Sequence, residues 1–156
     1  MSLDFTAREA NVRDSVKKYF IDNLNGLESL ALTFDKGLSV PRVQGTEVDK
    51  WVAIQFGALL LDTLSSQTLT IFCCTKKDSE GFKLAQLRDK VYTYLIDTEQ
   101  TDGTARITLY RSHASEIWES LGAMMVSVLS ESPQMEAEDG SKFKTIDILL
   151  RWGTIC

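Results

Sequence analysis

One histidine, two prolines and three cysteines in 156 residues leave little material for chemistry. His113 is the sole imidazole, so no pair of histidines can grip a metal ion. A catalytic triad would have a single choice of base, and no GxSxG elbow presents a serine to it. Cys73, Cys74 and Cys156 lack the spacing of a zinc site, and adjacent residues of a strand point to opposite faces. Neither GxGxxG nor GxxxxGK[ST] occurs, so the usual phosphate cradles are missing. No metal and no cofactor is expected.

Basic runs are equally scarce. None is longer than Lys17-Lys18 or Lys76-Lys77, and 17 basic against 22 acidic residues give a net charge of -5. Affinity for nucleic acid comes largely from clustered Lys and Arg, so a duplex-binding surface is not expected. The longest apolar cluster, around Ala58 to Leu61, is broken by Asp62 and falls short of the roughly 20 residues of a membrane-spanning helix. The opening MSLDFTARE has neither a basic start nor an apolar signal region. Folding in a cytoplasm, away from any membrane, is the expectation.

What is present is ordinary core material, 44% hydrophobic and 25% charged residues, in a length suited to one domain. Thr6-Ala7-Arg8-Glu9 matches a capping box, and Val12, Val16, Tyr19 and Phe20 follow at helical spacing until Asn25-Gly26. Leu30 to Phe34 reads as a short strand, and 38–48 as a loop interrupted by Pro41 and Gly45. After Lys50, Val52, Ile54 and Phe56 alternate with Trp51, Ala53 and Gln55; Leu69, Ile71 and Cys73 alternate with Thr68, Thr70, Phe72 and Cys74. The intervening ALLLDTLSS is too apolar for a plain turn and predicts a long hairpin reaching beyond the domain.

Asp78 or Ser79 can cap a second helix whose buried stripe is Leu84, Leu87, Val91 and Leu95. A strand with Ala105, Ile107 and Leu109 inward comes next, then a helical turn around Ser115 to Leu121 and a strand from about Ala123 to Ser130. Glu136, Glu138 and Asp139 form an acidic tip without basic partners. FKTIDILLRW returns from it with Ile146, Ile148, Leu150 and Trp152 on one face and Thr145, Asp147 and Arg151 on the other. No repeat or linker divides the chain. The reading is one α+β domain over 1–156: a mostly antiparallel or mixed sheet with long hairpins, an N-terminal helix and one central helix packed on it.

The residue clusters that could carry chemistry each have a plainer reading. Cys73 or Cys74 with His113 is the only thiol–imidazole combination, but a cysteine in a strand is usually a small core residue. Glu116 and Glu119 can share a helix face, yet Trp118 and Leu121 beside them suggest a solvated amphipathic turn. The acidic tip lacks the full Asp-x-Asp-x-Asp-Gly pattern of a calcium loop. No catalytic residue is assigned. More telling are apolar residues on second faces: Trp51, Leu59, Leu60, Leu61, Phe72 and Leu149. A face that carries such residues is covered either by more helices or by neighbouring subunits, and only two helices are evident. These six are candidate subunit-interface residues.

The order of elements, carried by DKWVAIQFG, QTLTIFCCTKKDSEGFKLAQLRDKVYTYL, ARITLY and FKTIDILLRWG, resembles the phage tail-terminator family of virion neck proteins. The resemblance covers nearly the whole chain from Thr6 to Trp152 and is one of order and length, since the family has no invariant motif. It implies a structural protein without an active site. Six copies form a ring on the tail tube, stop its polymerisation and join the tail to the head connector. The implied partners are other copies of the chain, the tail tube protein, connector or neck proteins and the sheath protein. DNA passes through the ring without specific binding. The implied location is the virion, after assembly in the host cytoplasm. In an oxidising medium Cys74, on the second face, and Cys156, at the chain end, are candidates for an intersubunit disulfide. Two other readings stay open: another neck or head-completion protein, and a small α+β ligand-binding or enzyme domain.

Overall fold

The computed structural model describes residues 9–27, 30–35, 42–43, 46–47, 49–60, 64–76, 78, 80–97, 99, 103–111, 119–137 and 140–153. Helix α1 (Glu9–Phe20) runs into a seven-residue π-helical turn, Ile21–Leu27, rather than ending at Asn25-Gly26. Val12, Val16, Phe20 and Leu24 recur every fourth residue and are all fully buried. The wider turn is pinned where Asn23 Nδ2 donates to the Tyr19 carbonyl at 2.7 Å. Thr6, the expected cap, lies outside the described residues.

Strand β1 (Ala31–Phe34) lies parallel to β4 (Lys50–Leu60), in register from Ala31 opposite Trp51 to Phe34 opposite Ile54. Between them β2 (Arg42–Val43) and β3 (Thr46–Glu47) form a small hairpin of their own in the span read as a loop. β4 and β5 (Leu64–Thr75) make the long hairpin that the apolar ALLLDTLSS predicts. Past helix α2 (Phe82–Thr93) come β6 (Arg106–Arg111) and β7 (Glu119–Glu131), then the two-residue β8 (Met135–Glu136) and β9 (Lys142–Gly153). The main sheet has the order β1-β4-β5-β9-β7-β6, with β8 on β9, and every pair except β1–β4 is antiparallel.

Two expectations need correction here. The helical turn placed around Ser115 to Leu121 is strand from Glu119 onward, because β7 extends to pair with the full length of β6; 115–118 lie outside the described residues. The acidic tip also has a basic partner: Lys142 Nζ stands 3.5 Å from Glu136 Oε1, brought there by the β8–β9 pairing. Glu138 and Asp139 are outside the described residues.

Both helices pack on the same side of the sheet. Their apolar stripes meet Val52, Ile54, Leu69, Ile71, Cys73, Ile107, Leu109, Met124, Val126, Ile146, Ile148, Leu150 and Trp152 in one core. The molecule is thus a single α+β domain with two helices on a curled, mixed sheet. α2 starts at Gly81, which holds a left-handed φ of 79° with the Gln134 side chain tight against it. Asp78 caps the helix from upstream: its carboxylate accepts from the Gly81 and Leu84 amides at 3.0 Å each and from the Thr75 hydroxyl at 3.2 Å.

Partial burial alone would push the Asp78 carboxyl up. The hydrogen bonds from Leu84, Lys83, Thr75 and Gly81 outweigh it and hold the group below its ordinary range. A depressed folded-state value stabilises the fold above the unfolded-state pKa, and that contribution disappears as pH falls through the folded value. Asp78→Ala should therefore cost about 1 kcal/mol at neutral pH, the usual worth of a helix cap. Urea titrations of the variant and the parent should converge toward low pH. An equal gap at pH 7 and pH 3 would show that the carboxylate charge plays no part.

Candidate functional site

With both helices on one side, the other face of the sheet is the surface to be explained. Its composition follows from pleat and register. Across the middle run Thr68, Leu149 and Ser127; one step toward the hairpin tip are Ser66, Arg151 and Met125; one step the other way are Thr70, Asp147 and Ser130. Hydroxyls hold the two charges in place. Asp147 accepts from Thr70 at 2.9 Å and from Ser130 at 3.1 Å, and Arg151 donates to Ser127 Oγ at 3.2 Å.

A β-bulge decides which leucine of β4 reaches this face. Between Phe56 and Leu59 the register slips, so Leu59 lies opposite Gln67 on the core side and Leu60 opposite Ser66 on the outer side. Gly57 sits in the slip, and a Cβ there would run into the Thr68 hydroxyl. The buried Gln67 side chain steadies the bulge by donating to the Gly57 carbonyl at 2.7 Å. Leu129 follows Met125 and Ser127 outward by alternation, and a second slip between Val128 and Ser130 brings Ser130 to the same face. On this face Leu60 and Leu64 are each 61% exposed and Leu129 is 56% exposed.

The candidate interface residues accordingly divide. Leu60 is strongly exposed on the outer face, and Phe72 and Leu149 are half-buried there, with Phe72 tilted against Phe143 at 6.4 Å between ring centres. Leu59 belongs to the core side, packed against the buried cluster, because the bulge inverts its parity. Leu61 lies outside the described residues. Trp51 is on the outer face by alternation, yet it is only 1% exposed in the single chain and offers nothing to a neighbour.

Cys74, across from Trp51, is sealed at the same end of the sheet, and burial pushes its thiol up to about 12. That placement removes Cys74 from the candidates for an intersubunit disulfide; Cys156 is outside the described residues. Cys73 is buried in the core and its thiol is likewise pushed up to about 12 by burial. Leu64, Met125 and Leu129 also reach this face and are absent from the six candidates, although alternation with Val126 and Val128 marks Met125 and Leu129 as outward.

Among the described residues no three His, Cys, Asp or Glu side chains gather as a metal site. His113, Glu116 and Trp118 are outside the described residues. A cleft of about 80 Å³ between α1 and β6 is lined by Ser15, Lys18, Tyr19, Asp22, Asn23, Thr108 and Tyr110. Its polar groups are engaged in holding the fold: Ser15 Oγ donates to the Asn11 carbonyl and accepts from the Tyr110 amide, and the Tyr19 hydroxyl donates to the Tyr94 carbonyl. A shallower groove of about 260 Å³ lies at the hairpin end of the sheet, bordered by Leu64, Ala123, Met125, Arg151, Trp152 and Gly153. No described helix is long and apolar enough to cross a membrane.

No family model and no curated protein matches the chain. Among solved structures 15 chains match. One of them, whose name carries no word about function, aligns over 92% of this chain and 94% of its own at a TM-score of 0.59 and 6% identity. A likeness at that identity is one of fold alone. The class it supports is the α+β architecture described above.

Proposed function

We propose that this protein is a structural component of a phage virion neck, a tail-terminator-like protein that acts as a ring, with six copies, at the end of the tail tube. It is not an enzyme in this reading. It stops tube polymerisation, meets the head connector or other neck proteins on its far side and the sheath protein where there is one, and lets DNA pass without specific binding. The observation that carries the reading is the open sheet face, where Leu60, Leu64 and Leu129 stand exposed beside Phe72 and Leu149 while both helices cover the opposite face. A soluble chain that leaves large apolar side chains on one sheet face has material for association. Closure of a ring needs a head-to-tail contact between unlike patches, so the open face would meet a different surface of the next copy or of the tube.

The test is reconstitution with a tail tube protein from the same phage genome. Added during polymerisation, the protein should cap tubes with a ring visible by electron microscopy, and omission should give tubes of uncontrolled length. Leu60→Asp should lose capping while its thermal unfolding stays close to that of the parent. Tubes whose length and ends ignore the protein would sink the terminator reading.

A further inference from the structure

The open face is complementary to itself. β9 is one of the two central strands, and on its outer side it carries Asp147, Leu149 and Arg151 at successive outward positions, about 7 Å apart. Among the described outward side chains of β4, β5, β7 and β9, Asp147 and Arg151 alone are charged. They are equally spaced on either side of Leu149 and opposite in sign.

Consider a two-fold axis lying in the plane of contact, perpendicular to β9 and passing over Leu149. It sets Leu149 against Leu149 of the second copy, reverses the strand, and brings Asp147 of each copy over Arg151 of the other. The same operation acts on β5, where Leu64 and Phe72 are four residues either side of Thr68, the residue paired with Leu149. It therefore seats the exposed Leu64 of one copy over Phe72 of the other. On β7 it turns the Met125 row toward the Ser130 row, beside the bulged Leu129. Charge meets opposite charge on β9, and apolar meets apolar on β9 and β5.

We propose that free copies of this chain pair face to face through this surface as a two-fold dimer, the sheets stacked about 10 Å apart. The occupant is a second copy because the charge pattern reads correctly only against itself reversed. A nucleic acid or an anionic membrane would need clustered basic residues, whereas the described bases of this face are Arg151 and, two strands away on the β6 edge, Arg106. The pairing stands independently of the ring reading. If both hold, the dimer is the form in which the protein waits before meeting a tube, with its apolar face hidden.

The experiment is sedimentation equilibrium on the full chain, with D147R, R151D and the double reversal D147R/R151D. Thermal unfolding confirms that each variant folds. The parent should sediment at twice the 17.5 kDa of one chain. Each single reversal sets like charges against each other and should weaken the dimer at least about tenfold, whereas the double reversal restores it. Mixing the two single variants should give a heterodimer, because D147R presents two positive charges on β9 and R151D presents two negative ones. A monomeric parent, single variants that pair like the parent, or a double reversal that fails to restore pairing would each overturn the proposal. So would a larger ring indifferent to these substitutions. Tube capping is scored separately, so loss of the dimer and loss of the ring reading cannot be confused.

Discussion

Trp51→Asp should unfold the protein at 25 °C. The side chain is 1% exposed and sits in register between Ala31 of β1 and Cys74 of β5, so it ties the parallel edge strand to the hairpin. Truncating a buried aromatic costs about 3–5 kcal/mol, and an unpaired carboxylate in its place adds a desolvation penalty. A domain of this size has only about 5–15 kcal/mol in total. Trp51→Phe is the informative companion. The Trp51 indole N–H is buried without a hydrogen-bond partner, which itself costs about 1–3 kcal/mol. Phenylalanine removes that cost while losing part of the ring, so the exchange should fall within about 1.5 kcal/mol of the parent. Circular dichroism in a urea series measures both. A folded Trp51→Asp that merely fails to assemble would return Trp51 to the list of interface residues.

Arg88→Ala should cost about 2 kcal/mol, more than a surface ion pair and less than the breaking of a fully buried one. Arg88 reaches from α2 to Glu131 at the end of β7 with both Nε and a terminal nitrogen, the Nε–Oε2 distance being 3.0 Å. The two side chains are 26% and 23% exposed, and Lys144 Nζ adds a third member at 3.8 Å from Glu131. The guanidinium also lies 4.2 Å from the Tyr92 ring centre. Such a bidentate bond is the main link between the exposed side of α2 and the sheet.

The Arg88 hydrogen bond is the largest influence on the Glu131 carboxyl and, with its charge and that of Lys144, outweighs desolvation and holds the group below its ordinary value of 4.5. By the sign of that shift, the stabilisation is present at pH above the unfolded value and is lost as pH falls through the folded one. A double-mutant cycle with Glu131→Gln should give a coupling of about 1–2 kcal/mol at pH 7 that shrinks toward pH 3. Coupling below about 0.3 kcal/mol at pH 7 would mean the pair is incidental to holding α2.

The elements themselves were written in local pattern. Val12, Val16 and Phe20 at every fourth residue can make only a helix with one buried stripe, and Val52 and Ile54 against Ile146, Ile148 and Leu150 can make only strands with one buried face. The α+β class, the long β4–β5 hairpin, the core position of Trp152 and a helix cap at Asp78 or Ser79 all follow from patterns within a dozen residues; the hydrogen bonds then select Asp78. Those readings needed no partner strand.

What the face presents was decided by tertiary structure, because parity along a strand is only as good as the register. A bulge at Phe56/Leu59 sent Leu59 inward and Leu60 outward, and another at Val128/Ser130 put Ser130 beside Asp147 on the outer face. Each slip depends on contacts between strands: Gly57 is slotted against Thr68, and Gln67 donates across to the Gly57 carbonyl. Alternation could place Trp51 and Cys74 on the outer face, but not show that this end of it is closed within the chain while the β4–β5 hairpin end, with Leu60 and Leu64, is open. Pleat is a property of neighbouring residues, and burial is a property of the whole fold.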